Sequence, residues 1–171
     1  MKIKNIITVF AVTSLFSACQ SDLLDLNPSG SISSGNMWST ENLTDMGVTG
    51  VYQTLTLDEV GRKLYNYDQF GVCTQGRDIE TFTAGTVTTG TTRFKDAWKQ
   101  LYEGVHRAND AIANIPEKSP VSEAKKARLL AECKFLRAYF YYRLNEVYKG
   151  VPLYLVPIEI EDCIQPRETE E

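Results

Sequence analysis

Histidine is almost missing from this chain of 171 residues, in which His106 stands alone. A single imidazole closes off most metal centres and the histidine-based triads of covalent catalysis. Cysteine is scarce as well: the four, at positions 19, 73, 133 and 163, include no CxxC pair and no Cys/His spacing that would hold a metal. There is no excess of positive charge either. Lys and Arg number 18 against 22 Asp and Glu, for a formal charge of −4. Nucleic acid is therefore excluded as a partner, because its phosphates demand a basic surface. Long apolar runs are also lacking. The longest, Ile6 to Phe16, is about half the roughly 20 residues that a transmembrane helix needs. What is present is an ordinary globular composition, 43% hydrophobic, 11% aromatic and 23% charged, with one domain as the expectation.

The first residues, MKIKNIITVFAVTSLFSAC, combine two lysines, a short apolar stretch and the small residues Ser17 and Ala18 directly before Cys19. That is the layout of a secretory signal. Its end resembles a bacterial lipobox, which implies cleavage before Cys19 and lipidation of that cysteine. Phe16 stands where leucine is more usual. With Lys2 and Lys4 removed, 16 basic against 22 acidic residues leave −6. Acyl chains worth about 0.8 kcal/mol per buried CH₂ would anchor the protein to a membrane without spanning it. The following QSDLLDLNPSGSISSG reads as a polar tether. The expected organisation is a lipoprotein signal peptide at 1–18, a lipidated N-terminus and tether at 19–36, and a helical domain at 37–171.

Three helical stretches follow. In WSTENLTDMGVTGVYQTL, Ser39 or Thr40 can cap, Glu41 and Asp45 suit the positive end of the dipole, and Leu43, Met46, Val51 and Leu55 form a stripe weakened by Gly47 and Gly50. From Arg93 to Ile115 the apolar residues Phe94, Ala97, Trp98, Leu101, Val105, Ala108, Ile112 and Ile115 recur at helical spacing, three or four positions apart but for the adjacent Ala97 and Trp98, and Pro116 is the expected stop. Asn109, beside this stripe, is expected to hydrogen-bond within the helix packing, and His106 to be solvated. The third helix is expected to take Ser119 as cap and Pro120 as its first residue and to run to Lys149, a rod of about 45 Å. A link this short forces an antiparallel hairpin.

On the third helix Leu129, Cys133, Leu136, Phe140, Leu144 and Val147 make one stripe, which the row of rings in RAYFYYRL broadens. Neighbouring residues differ by about 100° around a helix, so the four rings cannot form one flat platform. Phe140 and Tyr139 are expected against the second helix, Tyr142 at the margin, and Tyr141 toward solvent. Cys133 reads as a small buried hydrophobe. Arg137 and Arg143 have Glu132 and Glu146 as possible ion-pair partners. Cys73 and Cys163 would pair only in an oxidising compartment with suitable Cα spacing, and no disulfide is expected.

Between the first two helices, Asp58 to Thr92 is irregular, with seven threonines from Thr81 to Thr92. A connection of about 35 residues is longer than a plain link should be and suggests a functional loop.

Taken in order, the lipobox, LNPSG, WSTENL with GVYQTL, WKQLYEGVHRANDAI, and AECKFLRAYFYYRL with YKGVPL resemble the N-terminal part of the SusD/RagB family. The resemblance spans roughly Asp25 to Pro157. It implies a mainly all-α fold, a helical-hairpin scaffold of the tetratricopeptide-like SusD type with long irregular loops. It also implies a surface-exposed lipoprotein of the outer membrane of Bacteroidetes, one that binds glycans or other nutrients and passes them to a SusC-like TonB-dependent transporter, with no cofactor. Members usually run to several hundred residues, so this chain is expected to be a truncated form or a fragment.

For the ligand, exposed rings that stack on sugar C–H faces and nearby polar groups for hydroxyls are wanted. Tyr65, Tyr67, Phe70, Arg77 and Asp78 in the long loop offer both, and Trp98 is a further contact residue if it sits at an exposed edge. No family motif transfers to these positions. Catalysis is not expected, since Asp78 and Glu80 on one loop do not establish carboxylates facing each other across about 5–10 Å. The alternative to glycan capture is a helical adaptor or assembly lipoprotein that binds only protein.

Overall fold

The computed structural model describes residues 36–69, 83–88 and 90–169. Three α-helices dominate: α1 (Glu41–Gln53), α2 (Thr92–Lys118) and α3 (Glu123–Tyr148). Short helical turns cover Thr54–Thr56, Asp58–Arg62, Leu64–Gln69 and Ile160–Asp162, and the described residues contain no β-strand. The fold is mainly all-α, as expected.

Thr40 caps α1, its hydroxyl accepting from the Leu43 N–H at 3.2 Å. The buried face of α1 carries Thr44, Val48 and Val51, while Met46 is exposed. The expected stripe was thus rotated, and the reason is polar: the Thr44 hydroxyl, fully buried, bonds the Thr40 carbonyl at 2.9 Å and the Ser119 hydroxyl at 2.8 Å. A satisfied hydroxyl can occupy a core position that composition assigns to an apolar residue. Gly47, which weakens the helix by propensity, admits the Trp38 ring, since a Cβ there would lie 2.5 Å from it. Outside the core, Lys125 of α3 reaches Glu41 at 2.9 Å and Asp45 at 2.7 Å.

The helices α2 and α3 form the antiparallel hairpin. The Tyr148 hydroxyl donates to the Phe94 carbonyl, Arg137 to Asn109 Oδ1 at 2.8 Å, and Lys126 to the Pro116 carbonyl at 3.2 Å. The start of each helix therefore lies beside the end of the other. Leu101, Val105, Ala108 and Ile115 face Leu129, Cys133, Leu136, Phe140 and Leu144 across a buried seam. Gly104 is the seat of Phe140, for a Cβ added there would stand 2.6 Å from the ring.

Both ends of the connection differ from expectation. Pro116 does not stop α2, because the loss of one N–H in the last turn is followed by the Ser119 N–H closing on the Ile115 carbonyl at 3.3 Å. Ser119, committed to Thr44, does not cap α3. Ser122 does, accepting from the Lys125 N–H, and Pro120 lies outside the helix. With 26 residues α3 is about 39 Å long instead of 45 Å.

After α3 the chain returns along the hairpin as an extended arm. An extended strand without a partner strand leaves its carbonyls in need of donors. Side chains of the hairpin supply them. Tyr102 donates to the Pro152 carbonyl at 2.7 Å, Tyr141 to Tyr154 at 2.9 Å, Asn109 to Tyr154 at 2.9 Å and Val156 at 3.2 Å, and Arg137 to Leu155 at 2.8 Å. Two expectations are corrected by this arm. Tyr141 is half-buried beneath it, whereas Tyr142 is 65% exposed. Arg137 serves Asn109 and the arm instead of Glu132, which meets Arg128 at 3.4 Å. Arg143 does pair with Glu146, at 2.8 Å.

Candidate functional site

The turn Leu64–Gln69 carries two of the rings singled out in the sequence. Tyr65 is 64% exposed. Tyr67 is half-buried, with the Arg143 guanidinium 5.0 Å above its ring. A cation over an aromatic face holds the ring in place. The preceding turn, Asp58–Arg62, is tied to α2 through Glu59, whose N–H donates to Gln100 at 2.9 Å. The Glu59 carboxylate is buried, 3.6 Å from Lys63 and 3.9 Å from Arg93. Burial pushes its pKa up, and the two cations only partly oppose this. Phe70, Arg77 and Asp78, together with Cys19 and Cys73, lie outside the described residues.

Trp98 is half-buried near the start of α2. Tyr102 packs on it at 4.9 Å, Tyr148 meets it edge-on at 5.0 Å, and Arg167 from the arm lies over its ring at 5.7 Å. Tyr148 links the two parts of the candidate site, since it touches Trp98 and is within electrostatic reach of Tyr67. Burial pushes the phenols of Tyr102 and Tyr148 well above their ordinary range, so both stay neutral hydroxyls near neutral pH.

Two clefts share the Trp98 ring. One, of about 540 Å³, lies between α2 and the arm and includes Tyr102, His106, Asn109, Tyr154 and Ile160. Its hydroxyls and amide are already engaged with arm carbonyls, the Tyr154 hydroxyl donating to Cys163 at 2.7 Å. What remains is an apolar slot with the exposed His106 at its edge. The other cleft, of about 690 Å³, has Phe94, Trp98 and Tyr148 as its aromatic floor and Lys95, Arg167 and Thr88 as polar groups. Both volumes fall in the range of small-molecule sites. Lys95, Tyr102, Tyr148 and Arg167 were not singled out by sequence reasoning. No spacing in the sequence marks Tyr102 or Tyr148 as a neighbour of Trp98, and nothing local brings Arg167 to it.

A family model of the SusD-like type, described as "Starch-binding associating with outer membrane", matches residues 22–167. The chain belongs to the SusD-like family. This is the family that the sequence motifs resemble, and the match runs through all three helices and the arm as far as Arg167. Two SusD-like proteins of Formosa agariphila are each 27% identical to it, over 95% of the chain and 33% of the first relative, and over 98% of the chain and 34% of the second. The crystal structure of a SusD-like protein from Bacteroides fragilis superposes with a TM-score of 0.62 at 25% identity, over 85% of this chain and 29% of that one. The chain spans about a third of the length of the curated relatives it matches. Among the described residues no helix is long and apolar enough to cross a membrane.

Proposed function

We propose that this SusD-like chain acts at the outer membrane as a lipid-anchored, surface-exposed binding protein that captures glycans or other nutrients and delivers them to a SusC-like TonB-dependent transporter. The observation that carries the reading is the match of residues 22–167 to a family described as starch-binding and associated with the outer membrane. The exposed Tyr65 ring and the aromatic cleft at Trp98 support it, because sugar C–H faces stack on such surfaces. In this reading residues 1–18 are a signal peptide, Cys19 carries the lipid, 19–36 form the tether and 37–171 the helical domain. Tyr65, Tyr67, Phe70, Arg77, Asp78 and Trp98 are the ligand contacts.

Binding without catalysis is part of the proposal. Calorimetry of the purified chain with malto-oligosaccharides tests it: heat of binding that disappears in Trp98→Ala and Tyr65→Ala supports the site, and cleavage of the sugar by the protein alone sinks the non-enzymatic reading. Labelled palmitate should enter the wild-type chain in a bacterial host and not the Cys19→Ala variant. Co-purification with a SusC-like transporter tests the partner.

A protein-binding adaptor is the second reading, favoured by the outer face of α3. There Phe135 is 71% and Tyr142 65% exposed, with Ala131 and Ala138 between and beside them, so an apolar stripe faces outward. Recovery of the transporter without heat from any glycan would favour it.

A further inference from the structure

The larger cleft at Trp98 has an electrostatic character opposite to that of the chain. The protein carries a formal charge of −4. Yet the described residues that line this cleft include two cations, Lys95 and Arg167, and no carboxylate. Neither cation is in an ion pair among the described residues. Arg167 donates one N–H to the Tyr148 carbonyl at 3.2 Å and otherwise lies over Trp98, and Lys95 stands at the exposed rim. Some other basic side chains are ion-paired: Arg107 meets Glu103 at 2.6 Å, and Lys63 meets Asp58 at 2.7 Å. Two cations without a carboxylate among the described lining residues, beside an aromatic floor, make a site for a ligand with an apolar face and a negative group.

We infer that the cleft formed by Phe94, Lys95, Trp98, Tyr148 and Arg167 binds an anionic sugar, a glycan unit bearing a carboxylate or a sulfate. This deepens the proposed function and rests on its carbohydrate-binding reading. Phe94 and the edges of Trp98 and Tyr148 take the C–H surface of the ring. The planar guanidinium of Arg167 matches two oxygens of a carboxylate or sulfate, and the Lys95 ammonium supplies a mobile second charge. The Thr88 hydroxyl, at the same cleft, suits a sugar hydroxyl. At about 690 Å³ the cleft has room for the end of an oligosaccharide, well beyond that needed for a lone anion.

The experiment is calorimetry of the full chain with three probes: tetragalacturonate for the carboxylate, a sulfated carrageenan tetrasaccharide for the sulfate, and neutral maltotetraose. Lys95→Met and Arg167→Met, both at exposed positions, are measured beside the wild type, with circular dichroism to check the fold. Expected is binding of at least one anionic probe that weakens about tenfold in each variant and on raising NaCl from about 0.05 to about 0.5 M. Which anionic probe binds identifies the acidic group. Binding of maltotetraose alone, or binding of the anionic probes that neither variant weakens, overturns the anionic-sugar assignment and leaves the carbohydrate-binding proposal standing. Binding of no probe overturns both.

Discussion

One hydroxyl, that of Tyr141, serves both backbone polar groups of Tyr154: it donates to the carbonyl at 2.9 Å and accepts from the N–H at 2.6 Å. The arm is fastened to the hairpin at that point, and the arm in turn carries Arg167 to Trp98. Tyr141→Phe leaves the Tyr154 N–H without that acceptor and should destabilise the protein by about 1–3 kcal/mol in urea unfolding. Tyr142→Phe, on the exposed neighbour, should change stability by less than about 0.5 kcal/mol. Equal losses at the two positions would show that the arm does not lie where it is described.

Phe140 and Gly104 are a matched pair across the hairpin. Phe140→Ala should cost about 3–5 kcal/mol, because a fully buried ring is removed from a packed seam. Gly104→Ala drives a Cβ into that ring and should cost about 1–3 kcal/mol despite the better helix propensity of alanine. The double variant should lose less than the two singles together, since the clash vanishes with the ring. Strict additivity in the unfolding cycle would argue against the contact.

Burial pushes the Cys133 thiol from 9.0 up to about 12. The folded state then keeps a proton that the unfolded state has lost, so stability should fall as the pH rises from about 9 toward 12. Cys133→Ala should remove the part of this fall that sets in near pH 9 and leave the part that the raised phenols of Tyr102 and Tyr148 add from about pH 10 upward. In site-resolved mass spectrometry after alkylation at about pH 8, exposed Cys163 should be modified in the native protein and Cys133 only after unfolding.

Ser119 and Ser122 exchange the roles that spacing suggests. Ser122→Ala should cost about 1 kcal/mol through the lost cap, and Ser122→Asp should be tolerated because aspartate caps as well. Ser119→Asp would bury a charge beside Thr44 and should cost about 2 kcal/mol or more. Thermal unfolding of the two aspartate variants separates the positions.

The hairpin was legible because its information is local. Leu129, Cys133, Leu136, Phe140 and Leu144 recur at helical spacing, and all five are buried. Asn109 was legible as a packing hydrogen bonder, though its partners came as much from the arm as from α3. The first helix was harder to read, since its buried face includes Thr44, and a hydroxyl enters the core only where partners such as Ser119 await it. The candidate ligand residues divide the same way: Tyr65 is exposed as a contact residue must be, Tyr67 is held by Arg143, and Trp98 is enclosed by Tyr102, Tyr148 and Arg167.

By itself the sequence determined the helices, their pairing and the family, because each depends on periodicity and order along a short stretch of chain. Only the tertiary structure decided which ring of Tyr141 and Tyr142 meets solvent and that Lys95 and Arg167 share one cleft. Both follow from the returning arm. Its path is set by backbone carbonyls that need donors, and the donors, Tyr102, Asn109, Arg137 and Tyr141, lie on two helices whose facing sides exist only once the hairpin has closed.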